Sequence, residues 1–216
     1  MSSTHGAARI THGIARIPVL FIIVALLFAA MTAISMPSTA RAAVGGPVIL
    51  GGDDLTDHGE RDTASNVNVE GWLYLERAIE NVLPLVTRPG NDGSIAALGS
   101  FDETDPFGGA GAAIHYAAQD AGTGVAVTYY DGATAIDGFF TDLGAGTAQP
   151  AIIWIAGTGA SNDLDSFEAA ALTSNATAIA GFVNGGGGLI SHGTEYGWLS
   201  ALLPGASTVN SGSSDD

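Results

Sequence analysis

The chain has 216 residues, no cysteine and no lysine, and sets 22 acidic residues against six arginines. Its formal charge of −16 argues against a polyanion-binding role, because such a surface repels nucleic acid and anionic lipid and favours cations and solubility. The lack of cysteine excludes a disulfide framework and any thiol nucleophile, while the length suits one domain with a full hydrophobic core.

The charge is unevenly spread. Arg9, Arg16 and Arg41 lie in the first 42 residues, which hold no acidic residue. Val19 to Ile34 is apolar except for Thr32, Pro37 breaks the run, and Ala40-Arg41-Ala42 places small residues at the two positions a signal peptidase reads. This is the pattern of a secretory signal peptide over residues 1–42, cleaved after Ala42. A spanning helix would need nearer ~20 apolar residues, so an uncleaved anchor is the second reading. The remainder carries 22 acids against Arg61, Arg77 and Arg88, a formal charge of −19. That shell suits salt adaptation, cation binding or plain solubility.

In the remaining chain, Val48-Ile49-Leu50 reads as a short buried strand ending in Gly51-Gly52-Asp53-Asp54. A polar loop containing Asp57 and His58 is expected to run to about Asn68. Trp72, Leu75, Ile79, Val82 and Leu83 recur at three- and four-residue spacing, which predicts a helix over 71–86. Arg88 to Gly93 is a strong turn, and Ile95 to Gly99 is the second strand. An alanine-rich helix over 112–121, a strand over 125–130 and a helix over 133–143 follow. The chain is organised around 151–195: an apolar strand over 151–156, Gly157-Thr158-Gly159, a helix from about Asp165 to Val183, four glycines, the strand Leu189-Ile190-Ser191, and then His192-Gly193-Thr194-Glu195. A short helix over 197–203 precedes Pro204-Gly205, and 206–216 reads as a disordered tail or linker.

Five apolar strands alternating with helices imply a three-layer, flavodoxin-like α/β fold over 43–205, with a parallel sheet of about five strands and helices on both faces. In the expected strand order 2-1-3-4-5, the first and third strands are neighbours. Ligands of such folds bind beyond the carboxyl ends of the strands.

The stretch from Ile152 resembles the class I glutamine amidotransferase-like superfamily, and within it the ThuA-like branch. The resemblance rests on the strand Ile152 to Ala156, Phe182-Val183 closing a helix, the run Gly185 to Gly188, the strand Leu189-Ile190 and then His192-Gly193; Gly51-Gly52 with His58 is similar to the family's opening. A working amidotransferase of this kind needs a cysteine nucleophile activated by histidine, and this chain has none. Ser191 would need a base, and its surroundings do not form Gly-x-Ser-x-Gly. The resemblance therefore implies the fold without glutamine hydrolysis.

The residues singled out for a ligand-binding cleft are Asp53, Asp54, Asp131, Thr158, His192 and Glu195, all at expected strand ends. Asp53, Asp54 and Asp131, if brought together, would repel one another and so either bind Ca²⁺ or Mg²⁺ or raise one carboxyl pKa. As isolated residues they are helix caps and loop acids of an acidic protein. His115 reads as structural, neither glycine run fits a phosphate loop, and Asn175-Ala176-Thr177 matches a glycosylation sequon inside an expected helix. No catalytic residue is assigned. The expectation is a secreted or cell-surface, non-catalytic domain that binds a small polar ligand, a sugar or a protein partner, with no nucleic acid and no membrane after signal cleavage. The alternative is an extracellular hydrolase of carbohydrate-type substrates that uses the carboxylate and histidine cleft, with or without a cation.

Overall fold

The computed structural model describes residues 45–51, 56–122, 124–158, 164–192 and 196–206. Asp53, Asp54, Glu195, the signal-like segment and the tail from 207 lie outside the described residues.

Among the described residues seven strands form: β1 (Val48–Leu50), β2 (Gly59–Asp62), β3 (Val67–Val69), β4 (Ile95–Leu98), β5 (Val127–Tyr130), β6 (Ile152–Ile155) and β7 (Gly188–Ser191). The helices among the described residues are α1 (Glu70–Val82), α2 (Ala110–Asp120), α3 (Ala133–Ala145), α4 (Ser166–Ser174), α5 (Ala176–Asn184) and α6 (Leu199–Leu202). The five-stranded sheet is parallel throughout, in the order β1-β7-β6-β4-β5. Strands β4, β6 and β7 are buried at every position, so both sheet faces need cover. On one face α1 and α2 pack against Ile95, Ala97, Ile152, Trp154 and Ile190. On the other, α3 to α6 pack against Ala96, Leu98, Ile153, Ile155 and Leu189. This is the three-layer, flavodoxin-like α/β class.

The strand order departs from 2-1-3-4-5. The chain steps from β1 across two positions to β4, outward to β5, then back through β6 to β7, which pairs with β1. The first and third strands of the sheet, β1 and β5, therefore lie at opposite edges. Four strand spacings, about 19 Å, separate them. Short apolar strands carry no local signal for which neighbour they pair with, so this order is a tertiary outcome.

Two other expectations change. The polar stretch before α1 forms the antiparallel hairpin β2–β3, paired Glu60 to Val69 and Asp62 to Val67. The expected long helix over 165–183 breaks at Asn175, whose side-chain amide donates to the Ala171 carbonyl (2.9 Å) and the Asp137 carboxylate (2.7 Å). That side chain competes with the helical ladder, as asparagine does at helix ends. The sequon asparagine is thus tied into the α3–α4 contact. Pro84, with no N–H to donate, ends α1 in a single 3-10 turn, Leu83–Leu85.

The glycine run before β7 serves packing. A Cβ on Gly187 would meet the Phe182 ring at 2.3 Å, and one on Gly188 would meet Val82 at 2.6 Å. Gly46 lies so close that its Cβ would fall 1.9 Å from the Gly187 carbonyl oxygen. These contacts lie at the amino end of the sheet.

The hairpin is fastened by Arg61, which is 4% exposed. Its Nη1 donates to Asp120 (2.8 Å) and Asn68 (3.0 Å), its Nη2 to Asp120 (3.3 Å) and the Asn66 carbonyl (3.1 Å), and its Nε to Asn66 (3.0 Å). All five guanidinium donors are thereby engaged. The group also lies over the Tyr116 ring at 4.6 Å, and Asn68 passes the network on to Glu76 of α1 at 2.9 Å. One side chain thus joins β2, β3, α1 and α2. Removing one partner of a buried pair strands the other charge, so Arg61→Ala is expected to lower unfolding stability by about 3–5 kcal/mol in denaturant titration. Arg77→Ala, which removes an exposed guanidinium paired with Glu80 and, at 3.4 Å, with Glu76, is expected to cost less than about 1 kcal/mol.

Candidate functional site

The connection from β6 runs toward β7 and the connection from β4 runs toward β5, on opposite faces of the sheet. Adjacent strands whose connections diverge open a crevice beyond their carboxyl ends. Here that crevice lies between Gly99-Ser100 and Ala156-Gly157-Thr158.

Strand register places one residue of each strand in a row along this edge. Gly51, His192, Ala156, Gly99 and Asp131 follow in that order, each one residue past the registered ends of β1, β7, β6, β4 and β5. Backbone hydrogen bonds continue the ladder: Gly51 N–H to Ser191, His192 N–H to Ile155, Ala156 N–H to Leu98 and Gly99 N–H to Tyr130. The floor of the site between the imidazole and the carboxylate is therefore two small residues, Ala156 and Gly99, with Gly51 on the far side of His192. Gly99 has φ +82°, and a Cβ there would meet Leu164 at 2.5 Å, so only glycine lets the chain leave β4 over that side chain.

The structure brings some of the expected site residues to this edge and separates others. Asp131 is exposed at the β5 end of the row. His192 is 2% exposed, with its ring edge-on to Tyr74 of α1 at 6.0 Å between centroids. Three strand spacings, about 14 Å, separate it from Asp131. Thr158 lines a pocket of about 330 Å³ with Leu164, Asp165, Ser166, Ala169, Ala170 and Thr173, beside the start of α4. Asp53, Asp54 and Glu195 fall outside the described residues. The grouping of Asp53 and Asp54 with Asp131 rested on neighbouring strands, and β1 and β5 are not neighbours. Among the described residues no group of three or more His, Asp or Glu side chains could hold a metal ion.

Two features here lay outside the residues singled out from the sequence, although Asp165-Ser166-Phe167-Glu168 has the spacing of a capping box. Glu168 of α4 is 4% exposed and accepts from the Gly132 N–H (2.7 Å) and the Asp165 N–H (2.8 Å). Asp165 in turn caps α4 by accepting from the Phe167 and Glu168 N–H groups at 2.8 Å. Glu168 thus clamps the turn after β5 to the start of α4 and sets where Asp131 stands. Ser100 is fully buried at the crevice, and its hydroxyl has no hydrogen-bond partner among the described residues. Buried polar atoms without a partner are rare in folded proteins.

Around this edge stand the exposed aromatic side chains. Tyr74, Phe101, Phe107 and Phe167 are 43%, 46%, 65% and 74% exposed. All four sit on segments that leave the carboxyl end of the sheet: the start of α1, the loop after β4 and the first turn of α4. No other large aromatic among the described residues is exposed to this degree.

Comparison with known protein families, with curated proteins and with solved structures finds no match to this chain.

The last two residues of β5 hold their phenolic protons tightly. Burial, and then the Asp102 carboxylate, push Tyr129 far above its ordinary value. Burial, and then Asp142 and Asp92, raise Tyr130. An acid whose folded pKa is raised contributes stability that is fully present below its unfolded pKa, about 10 for tyrosine, and lost as pH rises through the folded value. Denaturation midpoints are accordingly expected to fall above about pH 10, and Tyr129→Phe to flatten that fall. Glu168→Ala leaves two backbone donors without their acceptor and is expected to cost about 2–3 kcal/mol in denaturant titration.

Proposed function

We propose that this chain is a secreted or cell-surface, non-catalytic binding domain on an amidotransferase-like α/β scaffold, and that its carboxyl edge binds a small polar ligand of carbohydrate type. The observation that carries this reading is the concentration of the exposed aromatic rings on that one edge. Isolated surface aromatics need no explanation, but four on segments bordering one crevice do. A pyranose presents an apolar C–H face, which a flat ring covers, and a rim of hydroxyls, which carboxylates and hydroxyls bind. Asp131 and Thr158 at the edge supply the polar partners, and the floor of Ala156 and Gly99 leaves room for a ring. Neutral sugars also suit an acidic surface that repels anionic ligands.

The scaffold reading draws on the order of strand, helix, glycine run, strand and His192, and on the missing cysteine. Export draws on the composition of residues 1–42. Hydrolysis by an Asp53 or Asp54 pair with Asp131 loses its support once β1 and β5 are about 19 Å apart, since glycosidase carboxylates stand roughly 5–10 Å from each other.

Isothermal titration with a panel of neutral oligosaccharides tests this. Phe101→Ala and Phe167→Ala are each expected to weaken binding roughly 3- to 10-fold with the far-UV spectrum unchanged. Chromatography of the incubated sugars is expected to show no cleavage. Unchanged affinity in the double variant, or release of shorter sugars that Asp131→Asn abolishes, would refute the proposal.

A further inference from the structure

A second cavity lies beside the edge strand β5. It is a groove of about 560 Å³ between β5 and α2, lined by Asp102, His115, Gln119, Gly124, Val125, Val127 and Tyr129. Its origin is topological. Strand β5 ends the sheet, and α2 is the last helix on that face, so the inner side of β5 is only partly covered. Its volume is that of an ordinary small-molecule site.

The chemistry of the walls is one-sided. His115 Nδ1 lies 3.2 Å from Asp102 Oδ1. A carboxylate oxygen accepts, so in this bond His115 donates from Nδ1. The Tyr129 hydroxyl is buried and stands close to Asp102 without completing a hydrogen bond in geometric range. Gln119 adds an amide, and Val125 and Val127 supply an apolar wall. No arginine lines the groove and the chain has no lysine, so nothing permanently cationic offsets Asp102 there.

We propose that this groove is a second ligand site and that it takes a small organic cation, a protonated primary amine. An ammonium group has three donors. Asp102, the Tyr129 hydroxyl and the Gln119 carbonyl are three acceptors on the walls of one cavity, and the aliphatic part of the ligand lies on Val125 and Val127. His115 is a positioning residue: its bond to Asp102 holds the carboxylate toward the groove. The strongly negative surface raises the local concentration of any cation and speeds its entry.

The test compares n-butylammonium with 1-butanol, which has the same shape and no charge, by isothermal titration of the full chain at constant high ionic strength. The expected result is saturable one-to-one binding of the amine and none of the alcohol. Asp102→Asn should weaken it at least about tenfold and Tyr129→Phe roughly 3- to 10-fold. Glu60→Gln, which removes an exposed carboxylate elsewhere, should change nothing. Asp102 is exposed, so its variant is expected to fold, and an unchanged far-UV spectrum checks this. Equal binding of the alcohol, full affinity in Asp102→Asn, or a response that never saturates and follows ionic strength would overturn the proposal. The last result would assign the effect to the acidic shell as a whole. Phe101→Ala with Phe167→Ala leaves the groove intact, so failure of the carbohydrate reading and failure of this one are distinguishable.

Discussion

Every residue of β6, Ile152-Ile153-Trp154-Ile155, is apolar, and a strand of that kind is stable only with both of its faces removed from water. The same holds for β4 and β7 on either side of it. This requirement places α1 and α2 on one face and α3 to α6 on the other, and it makes every connection between sheet strands a crossover through a helix. A sheet built by crossovers has all of its carboxyl ends on one edge. The crevice at Gly99-Ser100 and Ala156-Gly157 therefore follows from the burial of β6, before any residue in the crevice is considered.

What that edge holds depends on strand order. Because β7 lies between β1 and β6, His192 stands beside Gly51 and Ala156 and far from Asp131. The edge has no concentrated carboxylate group among the described residues. Two carboxylates hydrogen-bonded in place beside it, Asp165 and Glu168, have structural work: one caps α4 and the other holds the turn at Gly132. The result is an edge with a floor of small residues and a border of exposed rings.

A chain of this charge must place its few cations with care. Of the three arginines after residue 42, Arg61 is buried with all of its donors engaged, and it takes up Asp120 and the face of Tyr116. That side chain holds the hairpin against α1 and α2, and the loop after β4 is held in turn, since the Arg61 N–H donates to the Pro106 carbonyl at 2.9 Å. Phe101, Phe107 and Asp102 lie on that loop. The proposed carbohydrate edge and the proposed amine groove therefore share one support, although they use different residues.

By itself the sequence determined the class of fold. Apolar runs of four to six residues, helical spacing such as Trp72-Leu75-Ile79-Val82, and turns at Pro89-Gly90 and Asp131-Gly132 are local signals, because a strand or helix must bury a periodic set of its own side chains. They placed all five sheet strands and most helices, and they pointed to the carboxyl edge with Thr158, His192 and Asp131 on it. The tertiary structure alone decided the rest. Which strands pair depends on how distant apolar surfaces fit, so β1 and β5 ended at opposite edges and the acids expected together did not have adjacent strands to bring them there. The hairpin β2–β3 reads as a polar loop because it is held by one buried guanidinium and by few apolar contacts of its own. Asp102, His115 and Tyr129 are separated in sequence by 13 and 14 residues and lie on a loop, a helix and a strand. No periodicity joins them, and only the uncovered side of an edge strand makes them walls of one cavity.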